Sequence, residues 1–239
     1  SLAEFQSSPS AWSNRLHEED RASVLASING VLQSGGQEWS HEYRFARRDG
    51  TLAWVLDRGF VIRDGSGKAL RMVGGMTDLT ERREAELELA RLNRALRMRS
   101  ACNESLIRAT DEAALLTEVC RIAVEIGGYR MAWVGYAEND EKRSIRPIVH
   151  AGFEDGYLSE ISLSWSDEQP GGHGPAGRAV RSGRPEVLED LGKSTPQSPW
   201  HESALAKGYH GIVSLPLRDR EETFGLLSLY TGEVRPITE

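Results

Sequence analysis

The run MTDLTERREAELELARLNRAL, residues 76–96, constrains this chain more than any other stretch. It leaves a strand-like segment and becomes a helix charged almost all round, except for a thin apolar line. Ala85, Leu89, Leu92 and Leu96 are spaced 4-3-4. That is the narrow seam of a two-stranded coiled coil, not the broad stripe of a helix lying on a core. Asp78 stands at an N-cap position with Glu81 three residues on, a capping-box pattern, and Thr80 is an alternative cap. Continuing the register places Arg99 and Asn103 in the seam before Leu106. Polar seam residues weaken association and help fix register. The helix is therefore expected to run past Leu96 into the first helix of the next folded segment, and to hold a parallel homodimer along residues 80–107. The competing reading lays it on a neighbouring domain of its own chain.

A chain of 239 residues has room for a domain on each side of such a helix. With 39% hydrophobic and 27% charged residues the composition is that of a soluble globular protein. A net charge of −7 disfavours a broad electrostatic grip on nucleic acid. No apolar run approaches the roughly 20 residues that span a bilayer, and Ser1 opens no signal peptide, so direct membrane insertion is not expected and a cytoplasmic location is, the alternative being the soluble piece of a longer membrane protein. The two cysteines, Cys102 and Cys120, support neither a disulfide framework nor a thiolate zinc site. The chain opens on SLAEFQSSPSAW and closes on YTGEVRPITE, which reads as a piece cut from a longer polypeptide.

Ahead of the rod, residues 12–34 hold Val24, Leu25, Ile28, Val31 and Leu32 on one helical face, stopped by Gly35-Gly36. Trp54, Leu56, Phe60 and Ile62 then alternate with other residues, the period of a half-buried strand. Asp49-Gly50 and Asp64-Gly65-Ser66-Gly67 are turn signals. They predict a three-stranded antiparallel meander over 38–48, 52–63 and 69–77. Trp12, His17, Asp20 and Arg21 form one motif on this stretch. Glu42, Tyr43, Arg44, Arg47, Asp49, Gly50, Trp54 and Val55 form a second, and Arg71, Val73, Gly74, Asp78, Leu79, Thr80, Glu81 and Arg82 a third. Together they resemble the second half of a PAS domain with its C-terminal PAC motif. The resemblance covers about residues 1–82 and implies two further N-terminal strands, which this chain does not contain. It also implies that Asp78-Leu79-Thr80 ties the last strand to the outgoing helix, so that strain in the sheet can tilt or rotate the helix.

Beyond the rod, Leu115, Val119, Ile122 and Ile126 repeat at 4-3-4 and Gly127-Gly128 ends that helix. YRMAWVGYAE, SIRPIVHAG, PEVLED, HGIVSLPLRD and ETFGLLSLYT read as strands, and GPAGRAVRSG and SPWHESALAKGY as helices. The order, with GYRMAWVG, then GPAGRAVRSGRP, GYHGIVSLPL and FGLLSLY, resembles a GAF domain over about residues 98–232. More narrowly, it is similar to GAF domains upstream of cyclic-di-GMP cyclase/phosphodiesterase or histidine-kinase outputs. The resemblance implies a closing helix after Glu239. The expected fold is α+β: a partial PAS antiparallel sheet at 1–79, a signalling helix at 80–107, and a GAF antiparallel sheet flanked by helices at 108–239.

Motifs with chemistry are few. Gly172-His173-Gly174-Pro175-Ala176-Gly177 satisfies G-x-G-x-x-G, but it follows a loop inside an antiparallel design rather than the first strand of a parallel unit. It reads as a structural loop, with an anion at the following helix N-terminus as the alternative. His17-Glu18-Glu19-Asp20-Arg21 lacks the second histidine of a zinc helix and reads as a solvated helix start. His150, His173, His201 and His210 show no i, i+4 pair, so no metal is expected. Cys120 lies on the apolar periodicity and reads as buried, and Cys102 borders the rod's end. The loop cysteines of GAF methionine sulfoxide reductases, the acidic signature of cyclic-nucleotide GAF domains, and the bilin and flavin cysteines do not appear.

A candidate ligand pocket remains in the second module, walled by Trp133, Tyr136, His150, Trp165, Trp200 and Tyr209. Aromatic walls suit a buried ligand, and equally a filled core, which is the reading preferred here. Signal transmission is assigned to Asp78, Thr80, Leu89, Leu92 and Leu96. No catalytic residue, cofactor or metal is assigned. The chain reads as the sensory part of a signalling protein whose output lies elsewhere. A cyclic-di-GMP enzyme is the first choice of output and a histidine kinase the second. A GAF-type redox enzyme using Cys102 or Cys120 is the rival.

Overall fold

The structure, a computed structural model, describes residues 9–194, 199–220 and 222–234. It divides into two compact units, Ser1–Arg91 and Leu92–Glu239.

In the first unit a short helix α1 (Pro9–Ser13) precedes α2 (Glu18–Ser34). The chain turns at Asn14 and Arg15, where the Arg15 amide donates to the Trp12 carbonyl, and Leu16 bridges Phe45. Helix α2 starts where His17 accepts the Glu19 amide, and Glu18, Glu19 and Asp20 place negative charge in its first turn. Gly35, at φ 81, closes it in the left-handed conformation that glycine adopts without strain. The Arg63 guanidinium donates to the carbonyls of Val31, Leu32 and Gly36, satisfying the helix end. Strands β1 (Glu38–Ala46), β2 (Leu52–Arg63) and β3 (Ala69–Asp78) form an antiparallel sheet in that order. Asp49 and Asp64 accept the amides two residues on, of Thr51 and Ser66, and Gly50 and Gly67 take φ 85. Alternation along β1 turns Trp39, Tyr43 and Phe45 onto Leu16, Val24, Ala53 and Val55, with Leu25, Ile28 and Val31 packed around them. Asp20 holds Arg44 through its backbone amide and guanidinium, and this lowers its carboxyl to about 2. The first strand of the meander is expected over 38–48; β1 ends at Ala46 because the Arg47 amide turns to the Thr51 carbonyl.

Helix α3 (Thr80–Arg108) runs unbroken for 29 residues and buries none of them. It does not fuse with the following helix. Asp111, extended at φ −152, accepts the Ala114 amide and starts α4 (Glu112–Glu125) as a separately capped helix.

In the second unit β4 (Met131–Ala137), β5 (Ile145–Gly152), β6 (Glu186–Leu188), β7 (Gly211–Asp219) and β8 (Glu222–Thr231) form one antiparallel sheet, ordered β5-β4-β8-β7-β6. One face carries α4. The other carries α5 (Tyr157–Glu160), α6 (Pro175–Ser182) and α7 (Pro199–Ala206). The helix read from residue 198 is described from Pro199; Ser198 lies outside the described residues. Central strand β4 is covered on both faces, which explains its unbroken apolar run. Met131 and Trp133 point to the α5–α7 side, Ala132 and Val134 to the α4 side.

One expected stripe is displaced. The residues of α4 that pack on the sheet are Leu116, Cys120, Ala123 and Val124, not the 115/119/122/126 series. Leu115, Ile122 and Ile126 instead line an open groove against the end of α3. Two adjacent stripes of this helix are apolar, and a 3.6-residue period distinguishes them by only 100°.

Candidate functional site

The first site is the strap at the start of α3. Asp78 is the last residue of β3, and Thr80 is the first of α3. Asp78 Oδ1 accepts the Thr80 amide at 2.9 Å, and Asp78 Oδ2 accepts Arg47 Nη2 at 2.7 Å. Thr80 Oγ1 accepts the backbone amide of Trp54, in the middle strand, at 3.0 Å, and Arg47 at 3.3 Å. One turn further, Arg83 pairs with Glu42 of β1 and lies 4.2 Å over the Trp54 ring. All three strands are thus held to the first turn of the helix, β3 and β1 by charge-assisted hydrogen bonds, the stronger kind, and β2 by the neutral bond from the Trp54 amide to the Thr80 hydroxyl.

Thr80 and Arg47 together hold the Asp78 carboxyl at about 2. A carboxyl whose folded pKa is depressed contributes stability above its ordinary pKa, near 4, and loses it as pH falls toward the folded value. Asp78→Ala is expected to cost about 1 kcal/mol at neutral pH, as loss of a helix cap does. It should also speed hydrogen exchange in the first turn of α3. The gap from wild type should close between about pH 4 and pH 2. Equal stability of the two chains at neutral pH in denaturant titrations would remove the strap.

The second feature is the seam. Leu89, Leu92 and Leu96 are 61%, 51% and 54% exposed, and Leu87, Leu106 and Ile107 are exposed with them. In the second unit α3 turns a different face inward: Met98 packs with the α4 side of the core, against Gly127. Exposed Arg99, Asn103 and Leu106 continue the seam on the outside.

The third is the aromatic interior of the second unit. Trp133, Trp200 and Tyr209 are buried in one cluster with Tyr157 and Tyr230, and Trp165 is half-buried against it. Trp165 donates its indole N–H to the Glu138 carbonyl, and Tyr209 donates its hydroxyl to the Phe153 carbonyl. Two expected wall residues stand apart. Tyr136 bonds Glu112 of α4 and packs on Phe224, and His150 is exposed on edge strand β5, opposite Trp133 in register. Tyr157 and Tyr230 were missed. Tyr230 pairs with Met131 across the sheet and so shares the face of Trp133 two residues on. The cluster is tightly filled. Its one concavity described, lined by Tyr157, Pro175, Ala176, Trp200 and Tyr230 among others, amounts to about 10 Å³, space for about one water. A larger concavity of about 410 Å³ is the open groove between α3 and α4. Its charged rim is paired internally, Arg108 with Glu104 and Arg121 with Glu118.

The glycine-rich loop is where backbone approaches backbone. A Cβ on Gly172 would stand 1.8 Å from the Ser166 carbonyl oxygen, and one on Gly177 2.4 Å from that of Gly172. Burial pushes the Cys120 thiol up to about 12 and raises Cys102 as well. At neutral pH Cys120 then carries roughly a thousandfold less thiolate than a free cysteine. It should resist iodoacetamide in the folded chain and react once the chain is unfolded. Labelling at the free-cysteine rate would reopen the redox reading. Among the described residues no three metal-ligating side chains cluster, and no helix is long and apolar enough to cross a membrane.

Known sequence families agree with this anatomy. Residues 109–239 match the GAF domain model and residues 1–76 the PAS fold model. The chain belongs to the GAF domain family and carries a PAS-fold unit ahead of its GAF domain. It is 30% identical over 239 residues to a methyl sulfide methyltransferase-associated sensor of Methanosarcina acetivorans, an alignment covering 97% of this chain and 22% of the sensor. It is 31% identical over 101 residues to a peroxide stress-activated histidine kinase of Schizosaccharomyces pombe, covering 42% of this chain and 6% of the kinase. The chain thus spans about a fifth or less of these relatives' length. A crystal structure of a sensory box histidine kinase/response regulator from Burkholderia thailandensis shares 34% identity over 35% of this chain and 63% of that one, with a TM-score of 0.30. Both matched families are sensory, and the chain is a PAS–GAF sensor module.

Proposed function

We propose that this module receives a small-molecule signal and passes it, without catalysis of its own, along a dimeric helix to an output domain. The observation that carries the reading is the strap. One residue pair, Asp78 and Thr80, binds the last strand, the middle strand and the first turn of α3 at once. A change in the sheet therefore has a rigid route into the helix. A continuous helix resists bending, yet can rotate from one packed seam to another, and a few kcal/mol suffice to shift such a pair of states.

In this reading residues 1–79 are the PAS part, 80–107 the signalling helix and 108–239 the GAF part. Two copies pair along 80–107, in the cytoplasm, with no contact to nucleic acid. Trp133, Trp200 and Tyr209 belong to the ligand-receiving interior, and Leu89, Leu92 and Leu96 to the transmitting seam. For the output, the relative named as a histidine kinase favours a kinase over a cyclic-di-GMP cyclase or phosphodiesterase. Native mass spectrometry of freshly purified chain tests the core of the proposal. Twice the chain mass is expected, and a bare monomer at micromolar concentration would overturn it.

A further inference from the structure

One side chain of the PAS unit carries the position of α2 round to the opposite face of the sheet. Residues 15–17 run along the edge of β1 that faces away from β2. The Ala46 amide donates to the Arg15 carbonyl at 2.8 Å, and the His17 amide to the Arg44 carbonyl at 3.0 Å. The first turn of α2 is thereby seated beside Arg44. Asp20 Oδ2 accepts both the backbone amide and Nε of Arg44 at 2.9 Å. Asp20 Oδ1 accepts Arg44 Nη2 at 2.6 Å, and Glu19 accepts the same Nη2 at 2.8 Å. A guanidinium forked in this way takes its place from the helix that holds it. The bond to Arg44 keeps the Asp20 carboxyl at about 2, so both charges persist at neutral pH. Strand parity puts Trp39, Tyr43 and Phe45 of β1 in the core beneath α2, and so turns Glu42 and Arg44 to the other face. There Arg44 stands opposite Trp54 in register, with its guanidinium 5.6 Å from the centre of the ring. Arg83 of α3 lies 4.2 Å over the same ring and pairs with Glu42.

Two cations that share one ring repel each other unless each keeps its own carboxylate. Arg44 keeps Asp20 and Glu19, and Arg83 keeps Glu42. The Arg44–Asp20 pair is the more sheltered, at 26% and 21% exposed against 38% and 45% for Arg83–Glu42. It is therefore screened less and sets the resting arrangement. Glu42 stands two residues from Arg44 on the same strand face, about 7 Å away along the strand. A guanidinium released by α2 reaches it. Resting on the reading of α3 as the transmitting helix, we propose that these side chains form a partner switch. When the first turn of α2 shifts, Arg44 leaves Asp20 and takes Glu42, Arg83 loses its carboxylate, and the first turn of α3 comes loose from β1. Trp54 is the platform on which either guanidinium rests. The switch has two discrete arrangements, as an element that transmits a signal requires. It also starts where the Asp78–Thr80 strap does not, at the helix whose Val24, Leu25, Ile28 and Val31 pack on the core face of the sheet.

The test is hydrogen exchange at the Arg83 and Glu84 amides of the whole ¹⁵N-labelled chain. The Arg83 amide closes the first turn of α3 on the Leu79 carbonyl at 2.9 Å. Glu19→Gln with Asp20→Asn takes both carboxylates from Arg44 and leaves His17 as the cap of α2. It should speed exchange at the two amides about threefold to fivefold, the loss of one half-exposed ion pair. Adding Arg44→Gln should return exchange to the wild-type rate, because nothing then competes with Arg83 for Glu42. A merely structural Arg44 gives the opposite result, a third substitution that loosens the turn further, and that result overturns the switch. So does unchanged exchange in the Glu19→Gln, Asp20→Asn chain. If the triple variant does not fold, Glu42→Gln reads the same device. Alone it should loosen the turn, and Glu19→Gln with Asp20→Asn should then add nothing; additive effects overturn the proposal. Native mass spectrometry of the same wild-type sample reads the dimeric helix separately. A dimer without rescue by Arg44→Gln discards the switch and keeps the sensor reading. A monomer with rescue does the reverse.

Discussion

Replacing Leu89 and Leu92 by Lys should turn a dimer into a monomer of 26.5 kDa in sedimentation, with no loss of helical circular dichroism. Within one chain the two leucines are 61% and 51% exposed, so the substitutions remove little packing from the folded subunit. Lys and Leu have nearly the same helix propensity, so α3 itself should persist. In a paired seam the same positions are central. Fully burying a leucine contributes about 1.5–3 kcal/mol, and two copies of the chain bring four such residues together. Lysines there also set four like charges close to one another. Even after half of that gain is discounted for ordering the helices, the dissociation constant should rise on the order of a hundredfold to a thousandfold. The flanking pairs Arg82–Glu86 and Arg91–Glu88 lie along one helix and are exposed, so they cannot make up the loss. Unchanged dimer mass would retire the coiled-coil seam and leave α3 as a spacer. A wild-type monomer at tens of micromolar would do the same.

How far the sequence could be read differs from element to element, for physical reasons. The rod was legible as a helix because its start is capped and its run holds no glycine or proline; its end at Arg108 was not, since Asp111 caps a new helix three residues on. The meander was legible because Asp-Gly turns fix where strands end, and alternation fixes their faces. Helix α4 was legible as a helix, but its orientation was not. Leu115 and Ile122 make one stripe, and Leu116, Cys120 and Ala123 make another one residue away. Only the sheet and the end of α3 decide which stripe faces which partner. In the aromatic interior, strand parity held more information than was used. Trp133 and Tyr136 are three residues apart on β4, hence on opposite faces, and Tyr136 meets α4 instead of the interior. Tyr230 could have been found by the same parity once β8 was paired with β4. Tyr157 could not, since a four-residue helix carries no periodic signal. Nor does any local pattern reveal that Trp200 Nε1 and the start of α6 converge. That follows from tertiary packing of segments about 25 residues apart.

Trp133→Ala should give the largest loss of stability of any single change considered. The indole is fully buried at the centre of the sheet face that carries α5, α6 and α7, between strands β5 and β8. Gly135, two residues on, leaves room for it: a Cβ there would stand 2.6 Å from the ring. Deleting a buried tryptophan side chain costs about 3–5 kcal/mol, since transfer and cavity effects add. A domain holds only about 5–15 kcal/mol in all. The melting transition of the GAF unit should therefore fall by roughly 10–20 °C for a unit of this size, while that of the PAS unit, which makes its own core, stays where it was. Calorimetry, which resolves separate transitions, is the measurement. Trp133→Phe separates packing from polarity. Trp133 Nε1 makes no hydrogen bond of ordinary geometry and faces the Tyr230 hydroxyl closely enough to counter the rise that burial gives that group's pKa, so Phe removes at most a weak polar contact along with some volume and should cost much less than Ala. If Phe costs as much as Ala, the contact of that N–H with the Tyr230 hydroxyl carries a full hydrogen bond's share of the core's stability. If neither change moves the transition, the tryptophan is not central to the core and the packing described for this face is wrong.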